Sequence, residues 1–205
     1  VLVAGSTHEG EESVILEVYR RLLEHRPDFK LILIPRHIER GEAVAELVHR
    51  TGFSDAIRMS EIRAGRSRRG ERVVVVDVIG ELFKVYSLAT VVFCGGSLVP
   101  KGGQNILEAA AWGKVVFHGP HMEDFRDERV LLAEAGAGIT VRDGEELFTG
   151  IRALLDDPDL LRTKGESGRR AVAANRGAAE RYADLIADAV LPMRLRRKAL
   201  APAVK

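Results

Sequence analysis

The stretch TVVFCGGSLVPKGGQNILEAAA, residues 90–111, decides the fold. It opens with the apolar run Thr90 to Cys94, which predicts a buried strand. It continues through a loop that holds four glycines and ends in the alanine-rich helical segment Ala109 to Ala111. A strand that passes through a loop into a helix is the unit from which parallel sheets are built.

The rest of the chain repeats this order of strand, loop and helix. Short β-branched runs alternate with helical stretches, and this alternation predicts an α/β fold with a Rossmann-like parallel sheet and helices on both faces. From residue 143 onward the pattern is helical, with predicted helices over 147–155, 159–175 and 178–190. The seven predicted strands are Val1 to Ala4, Leu31 to Ile34, Ala56 to Met59, Val73 to Val76, Thr90 to Cys94, Val115 to His118 and Gly138 to Val141.

Length and composition limit the classes of protein. With 205 residues we expect one α/β domain over 1–190, followed by a basic tail over 191–205. The net charge of +1 gives no general attraction to nucleic acid. A single cysteine, Cys94, predicts a buried free thiol and a cytosolic protein. No stretch is long and apolar enough to cross a bilayer. Because the chain opens directly on a strand, we expect that a segment upstream is missing.

In open parallel sheets, ligands bind beyond the carboxyl ends of the strands. After the first strand, Ser6 or Thr7 predicts a helix N-cap, with Glu9 completing a capping box, or else a hydroxyl that contacts an anion. After the second strand, Arg36 and His37 predict either a surface salt bridge or an anion site. These alternatives stay open on the residues alone.

The glycine-rich loop after the fifth strand is the strongest functional signal. Its glycines allow a ligand to approach the backbone, and the helix that follows favours negative charge at its start. If that helix begins near Gly103, Glu108 lies more than a turn inside it, and the position predicts either a carboxylate that accepts hydrogen bonds from ribose hydroxyls or an exposed helical glutamate. The loop fits neither the Walker pattern nor the dinucleotide fingerprint, which disfavours triphosphate hydrolysis and hydride transfer.

Three other polar stretches have less specific interpretations. His118 and His121 flank a Gly-Pro turn and predict a pocket wall, since no further residues complete a metal site. Asp156 to Asp159 predicts a helix boundary. The basic run Arg63 to Arg72 predicts an exposed loop, with attraction to phosphate or to a membrane surface as the alternative. No cofactor or metal is therefore expected.

In order and spacing, the motifs of this chain resemble those of the 3-deoxy-D-manno-octulosonic acid (Kdo) transferases. The resemblance runs from Leu2 to about Asp188. It is carried by Gly5-Ser-Thr-His-Glu-Gly-Glu11, Pro35-Arg-His37 with Glu39-Arg40, Gly80-Glu-Leu82 with Tyr86, Gly95-Gly-Ser-Leu98, Gly102-Gly-Gln-Asn105, Leu107-Glu-Ala-Ala110, and Gly119-Pro-His121 with Phe125.

The resemblance implies the carboxy-terminal domain of an inverting GT-B glycosyltransferase that uses CMP-Kdo. Such enzymes carry the acceptor site for the lipid A precursor (lipid IVA), the catalytic carboxylate and a membrane anchor in an amino-terminal part, at the cytoplasmic face of the bacterial inner membrane. The resemblance thus implies that this chain binds donor and supplies no catalytic base. Direct attack of a glucosamine hydroxyl on Kdo releases CMP. No Asp-x-Asp motif precedes the glycine loop, which agrees with metal-independent departure.

The resemblance also implies a set of donor-binding residues. Ser6, Thr7, Arg36 and His37 are candidates for the phosphate or the Kdo carboxylate, with Arg36 supporting departure of CMP. Gly80, Glu81 and Leu82 are expected near the cytosine. The remaining candidates, expected at the phosphate and ribose, are Gly96, Ser97, Lys101, Asn105 and Glu108.

Two residues depart from the family pattern, Gln104 where His is usual and Asp124 where Asn is usual. Gln104 cannot carry a proton, and Asp124 adds a negative charge beside an anionic donor. Two other functions remain possible on the sequence. One is a GT-B enzyme or 2-epimerase that uses a UDP-sugar, and the other is a non-catalytic nucleotide-binding module.

Overall fold

The computed structural model describes residues 1–66, 70–175, 183, 185 and 186. One compact unit comprises Val1–Val172, and a second comprises Ala173–Lys205. The predicted helix over 178–190 lies almost wholly outside the described residues, and both the domain boundary at residue 190 and the basic tail over 191–205 lie outside them altogether. All that follows concerns the first unit and the last turn of its final helix.

All seven predicted strands form, and they make one parallel sheet. The runs of the five inner strands are rich in valine, isoleucine or leucine and largely buried, as expected of strands covered on both faces, whereas the two edge strands are partly exposed. The strands are β1 Leu2–Thr7, β2 Leu31–Pro35, β3 Ile57–Arg58, β4 Val73–Val75, β5 Val91–Cys94, β6 Val115–His118 and β7 Gly138–Thr140.

The strand order is β3-β4-β2-β1-β5-β6-β7, and every neighbouring pair is parallel. From β1 the chain builds one half of the sheet and then returns to β5 on the other side of β1. This reversal creates a switch point between β1 and β5, and a crevice opens beyond their carboxyl ends. The Rossmann-like prediction is confirmed.

Helices cover both faces of the sheet. Two short 3₁₀ turns occur at Ile38–Arg40 and Glu123–Phe125. The α-helices are α1 Glu11–His25, α2 Gly41–Arg50, α3 Met59–Arg63, α4 Leu82–Tyr86, α5 Leu107–Ala111, α6 Arg126–Glu134, α7 Gly144–Asp156 and α8 Pro158–Ala174.

Alternate residues of the central strand, β1, belong to two separate hydrophobic cores. Leu2 and Ala4 belong to a cluster that includes Ile15 and Leu22 of α1, whereas Val3 points to the opposite cluster with Ile106. This alternation is the period of two expected of a strand. The two cores fix β1 at the centre of the sheet, and its carboxyl end is therefore held firmly.

Two of the predicted helix starts are wrong, because both helices begin later in the chain. The strand β1 continues through Ser6 and Thr7, and α1 begins only at Glu11, with Gly10 at the N-cap and no side-chain capping bond. Similarly, α5 begins at Leu107, so Glu108 lies in its first turn rather than more than a turn inside. In both cases the residues before the helix remain non-helical because tertiary contacts hold them in place.

Two further predictions concern the boundary between α7 and α8 and the basic loop. α7 ends at Asp156 and α8 begins at Pro158, which confirms a helix boundary at Asp156 to Asp159. The predicted basic loop is helical at its start, because α3 includes Arg63. Residues 67–69 of that stretch lie outside the described residues.

Candidate functional site

The carboxyl ends of β1, β2 and β5 are tied into one surface by backbone hydrogen bonds. The N–H of Arg36 donates to the carbonyl of Thr7 (2.9 Å), and the N–H of Gly95 donates to the carbonyl of Gly5 (2.8 Å). A Cβ atom at Gly95 would lie 2.5 Å from the carbonyl oxygen of Ser6, so only glycine allows this approach. The three loops predicted to carry chemistry therefore meet.

The backbone of the glycine-rich loop already holds an anion, the carboxylate of Glu11. This side chain is 1% exposed. Its oxygens accept hydrogen bonds from the N–H groups of Gly96 (2.7 Å), Ser97 (3.0 Å) and Leu98 (2.9 Å), and also from the N–H of His8 (2.9 Å). A concave set of N–H groups commonly binds phosphate. Here Glu11 fills that place.

The second acid of α1, Glu12, is fully buried and paired. Arg40 reaches both of its oxygens, at 2.6 and 3.2 Å, and the Thr7 hydroxyl donates to Oε1 at 3.0 Å. The bidentate geometry is that of a strong ion pair. Thr7, predicted to contact the donor, is itself buried with its hydroxyl in this network.

Like Thr7, Ser97 is buried and its hydroxyl is hydrogen-bonded within the protein. It is fully buried, its hydroxyl donates to the Cys94 carbonyl, and the same oxygen accepts from the N–H of Gly119 (2.8 Å). Its own N–H binds Glu11. We call Thr7, Glu11, Glu12 and Ser97 the inner cluster. Its polar groups bind one another and adjacent backbone, and a direct donor contact from Thr7 or Ser97 stays a prediction.

A different set of predicted residues lies at the surface, and we call Arg36, His37, Lys101 and Asn105 the rim. All four are exposed. In the described part of the chain, neither Arg36 nor Lys101 makes a side-chain hydrogen bond or ion pair. Asn105 accepts from the N–H of Leu107 through Oδ1 (3.0 Å), and the residue is exposed. The rim thus presents two unpaired cations and an amide donor.

Between the inner cluster and the rim lie Ser6 and His8. Ser6 is the one non-glycine residue with positive φ (55°) among the residues that the structure describes. Such backbone strain is concentrated at functional sites. The His8 ring packs edge-on against His37, with centroids 5.6 Å apart. Sequence reasoning missed His8 and Glu11 individually, although both lie directly beyond the first strand.

The residues predicted near the cytosine lie around the start of α4. Leu82 and Tyr86 pack over Gly5, where an added Cβ would lie 3.0 Å from Cδ1 of Leu82. The carboxylate of Glu81 pairs with Arg63 at 2.5 Å, and Gly80 is exposed with positive φ. These residues therefore lie at the same edge of the sheet as Ser6. Contact with a base remains a prediction.

The two residues that depart from the family pattern adjoin the glycine loop. The N–H of Asp124 donates to the carbonyl of Gly102 (3.1 Å), and a Cβ at Gly102 would meet the Asp124 carboxylate. The backbone of Gln104 donates to the Cys94 thiol, while burial raises the pKa of that thiol to about 12. Glu108 is half-buried, and desolvation raises the pKa of its carboxyl.

The prediction that His118 lines a pocket is wrong. Its ring is fully buried, with Nδ1 2.8 Å from the Gly119 carbonyl oxygen, and burial lowers the pKa of the imidazole. His121 is half-exposed and pairs with Glu123. Among the described residues, no group of three His, Cys, Asp or Glu side chains is arranged to hold a metal ion.

No family model matches the sequence. Among solved structures, the fold resembles the C-terminal CMP-Kdo binding domain of WaaA from Acinetobacter baumannii, with a TM-score of 0.76 and 28% identity, over 83% of this chain and 88% of that one. The seven-stranded parallel sheet and the glycine-lined edge are those of the carboxy-terminal domain of a GT-B glycosyltransferase.

Curated relatives give the family. The chain is 33% identical to the 3-deoxy-D-manno-octulosonic acid transferase of Haemophilus influenzae over 187 residues, which are 91% of this chain and 43% of that protein. It is also 33% identical to the corresponding transferase of Aquifex aeolicus, over 81% of this chain and 45% of the relative. The chain is a relative of the Kdo transferases and corresponds to their carboxy-terminal domain. It spans less than half the length of these relatives.

Proposed function

We propose that this chain binds CMP-Kdo and forms the donor-binding half of an inverting Kdo transferase of lipopolysaccharide biosynthesis. The observation that carries the proposal is the likeness to a CMP-Kdo-binding domain over 83% of the chain. The geometry of the edge supports it, since Arg36 and Lys101, two cations without a side-chain partner among the described residues, lie at the edge that carries the glycine loop. A nucleotide-linked acidic sugar carries both a phosphate and a carboxylate, which match those cations.

The proposed division of labour follows from where charged groups lie. The inner cluster holds the glycine loop in shape, while the rim and the strained Ser6 backbone face the donor. In the reaction, a hydroxyl of the acceptor attacks the anomeric carbon of Kdo, and the bond to the phosphate oxygen breaks. The hydroxyl proton goes to a base outside this chain. CMP leaves as an anion beside Arg36, without a metal or other cofactor.

The acceptor, the lipid A precursor, is proposed to bind the remainder of the full-length enzyme at the cytoplasmic face of the inner membrane. Among the described residues, no helix is both long and apolar enough to span a bilayer.

Titration calorimetry with CMP, and with UDP as the competitor, tests the donor assignment. We expect saturable binding of CMP, weaker binding of UDP, and the same CMP affinity with and without EDTA. A preference for UDP would move the chain to a GT-B enzyme or epimerase that uses UDP-sugars. Binding of neither nucleotide by a folded chain would favour a module without donor-binding function.

A further inference from the structure

The side chain of His8 occupies the centre of the edge but has no assigned role. It follows β1 directly and lies between the end of β2 and the glycine loop. Its ring is edge-on to that of His37. On the other side, a Cβ atom at Gly96 would lie 3.2 Å from Cδ2 and 3.4 Å from Nε2 of His8. Glycine at position 96 thus lets the backbone of the loop pack directly against the imidazole ring.

The Nε2 atom of His8 lacks a hydrogen-bond partner although it is shielded from solvent. Among the described residues it is the one buried side-chain nitrogen or oxygen in this condition. An unpaired buried polar atom costs free energy, and native structures rarely keep one without a reason. The nearest carboxylate, Glu11, is occupied by four backbone N–H groups. The described residues therefore offer Nε2 no acceptor.

The charges that face His8 favour an anionic partner. Burial of the ring is the main cause that lowers the pKa of the imidazole. Glu11 of α1 opposes this shift. The pKa is lowered further by His37 beyond β2, Lys101 in the glycine loop and Arg40 before α2. A neutral imidazole carries one N–H that can donate. A ligand oxygen that accepts it would lie near the cations Lys101 and Arg40, so a negatively charged oxygen fits best.

We propose that His8 is a donor-substrate contact, whose Nε2–H donates a hydrogen bond to an anionic oxygen of the nucleotide-linked acidic sugar. This inference rests on the proposed function and adds a residue to its site. The oxygen belongs either to the phosphate or to the sugar carboxylate. Both are acceptors of the same chemistry, and ligands that differ in these groups tell them apart.

The test compares His8→Leu, which removes the donor, with His8→Gln, which restores an N–H at similar reach. His49→Leu on the exposed side of α2 is the matched control. Binding of cytidine, CMP and CMP-Kdo to each is measured by calorimetry, with thermal unfolding as the check on folding. We expect His8→Leu to weaken binding of an anionic ligand by about tenfold or more, and His8→Gln to recover most of it.

Each result has a distinct meaning. A loss with both CMP and CMP-Kdo places the contact at the phosphate, and a loss with CMP-Kdo alone places it at the carboxylate. Unchanged affinity of His8→Leu for both ligands, when the wild-type chain binds them, overturns the inference and leaves the proposed function intact. If the folded wild-type chain binds none of the three, the proposed function fails and this inference fails with it.

A measurement on the wild-type chain covers the case in which His8→Leu does not fold. The ¹⁵N resonance of His8 Nε2 is followed while CMP-Kdo is added. A hydrogen bond to an anionic oxygen should shift this resonance and raise the pKa of the imidazole, because a nearby negative charge favours the protonated form. An unshifted Nε2 resonance at saturation overturns the inference.

Discussion

The inner cluster and the rim occupy the same edge of one sheet, yet their polar groups behave differently. Glu11 and Glu12 are at most 1% exposed, and their carboxylates bind backbone N–H groups, Arg40 and Thr7. Arg36 and Lys101 of the rim lie in solvent without such partners in the described part of the chain. This difference indicates that protein carboxylates hold the glycine loop in place, and we propose that the surface cations bind a ligand. Changes in the inner cluster should therefore reduce stability, and changes in the rim should reduce binding.

The largest effect is expected for Glu11→Ala. This change leaves four N–H groups without their acceptor, three of them in the glycine loop, and should lower the free energy of unfolding by about 3–5 kcal/mol. Denaturation with urea measures the loss. The control is Glu9→Ala, two residues earlier and exposed, for which we expect little change. Equal stability of both variants would mean that water replaces Glu11 and that the inner cluster does not hold the loop.

Arg40→Met should produce a smaller loss, of about 2–4 kcal/mol, because it leaves the Glu12 carboxylate buried without its cation. Arg40 is partly exposed, so water compensates for some of the lost interaction. The double variant Glu12→Gln with Arg40→Met should be more stable than Arg40→Met alone. Additive losses in this double-mutant cycle would show that the pair is not coupled.

In the rim, Arg36→Ala should weaken CMP binding by about tenfold or more while the free energy of unfolding changes by less than about 0.5 kcal/mol. The reason is that a charge-assisted hydrogen bond is lost to the ligand and none is lost within the described protein. Calorimetry and urea denaturation measure the two quantities. Arg152→Ala on α7 is the control, and an Arg36→Ala chain that binds CMP like this control would remove Arg36 from the site.

The smallest effect concerns the pH dependence of stability. Burial lowers the pKa of His118 in the folded state below its unfolded value of about 6.5. Between those two pKa values the unfolded chain binds more protons, so the free energy of unfolding falls as pH decreases through that window and is fully regained above it. The slope is at most about 1.4 kcal/mol per pH unit for this group.

Comparison with His118→Asn isolates the contribution of His118, because the other titrating groups are common to both chains. We expect a shallower fall in stability for the variant as the pH decreases below about 6.5. Parallel curves for the two chains would contradict a lowered pKa at this buried position.

The sheet was predictable because its signal is local. Runs such as Val115 to His118 have few alternatives once helical stretches flank them, and each predicted strand formed close to its expected bounds. The position of the site at the carboxyl ends of the strands followed from the same pattern. The motifs of this chain that resemble those of the Kdo transferases also lie along these loops.

The arrangement within the loops was not predictable because distant contacts fix it. Ser6 and Thr7 have the residue types of a helix cap, but Thr7 stays in the strand and binds Glu12, and α1 starts four residues later. Ser97 has the type of a phosphate ligand, but Glu11, 86 residues away, takes its N–H. The type of a residue alone does not show which acceptor its polar group binds when it is buried in the folded protein.

An NMR titration of the ¹⁵N-labelled chain with CMP tests the central claim most directly, because it reports where the nucleotide binds. The account predicts saturable shifts of the Arg36 side-chain Nε–H and the Asn105 amide, with small shifts at the Gly96, Ser97 and Leu98 amides that remain bound to Glu11. Large shifts confined to those three loop amides would show that the phosphate displaces Glu11, and would contradict the division between inner cluster and rim.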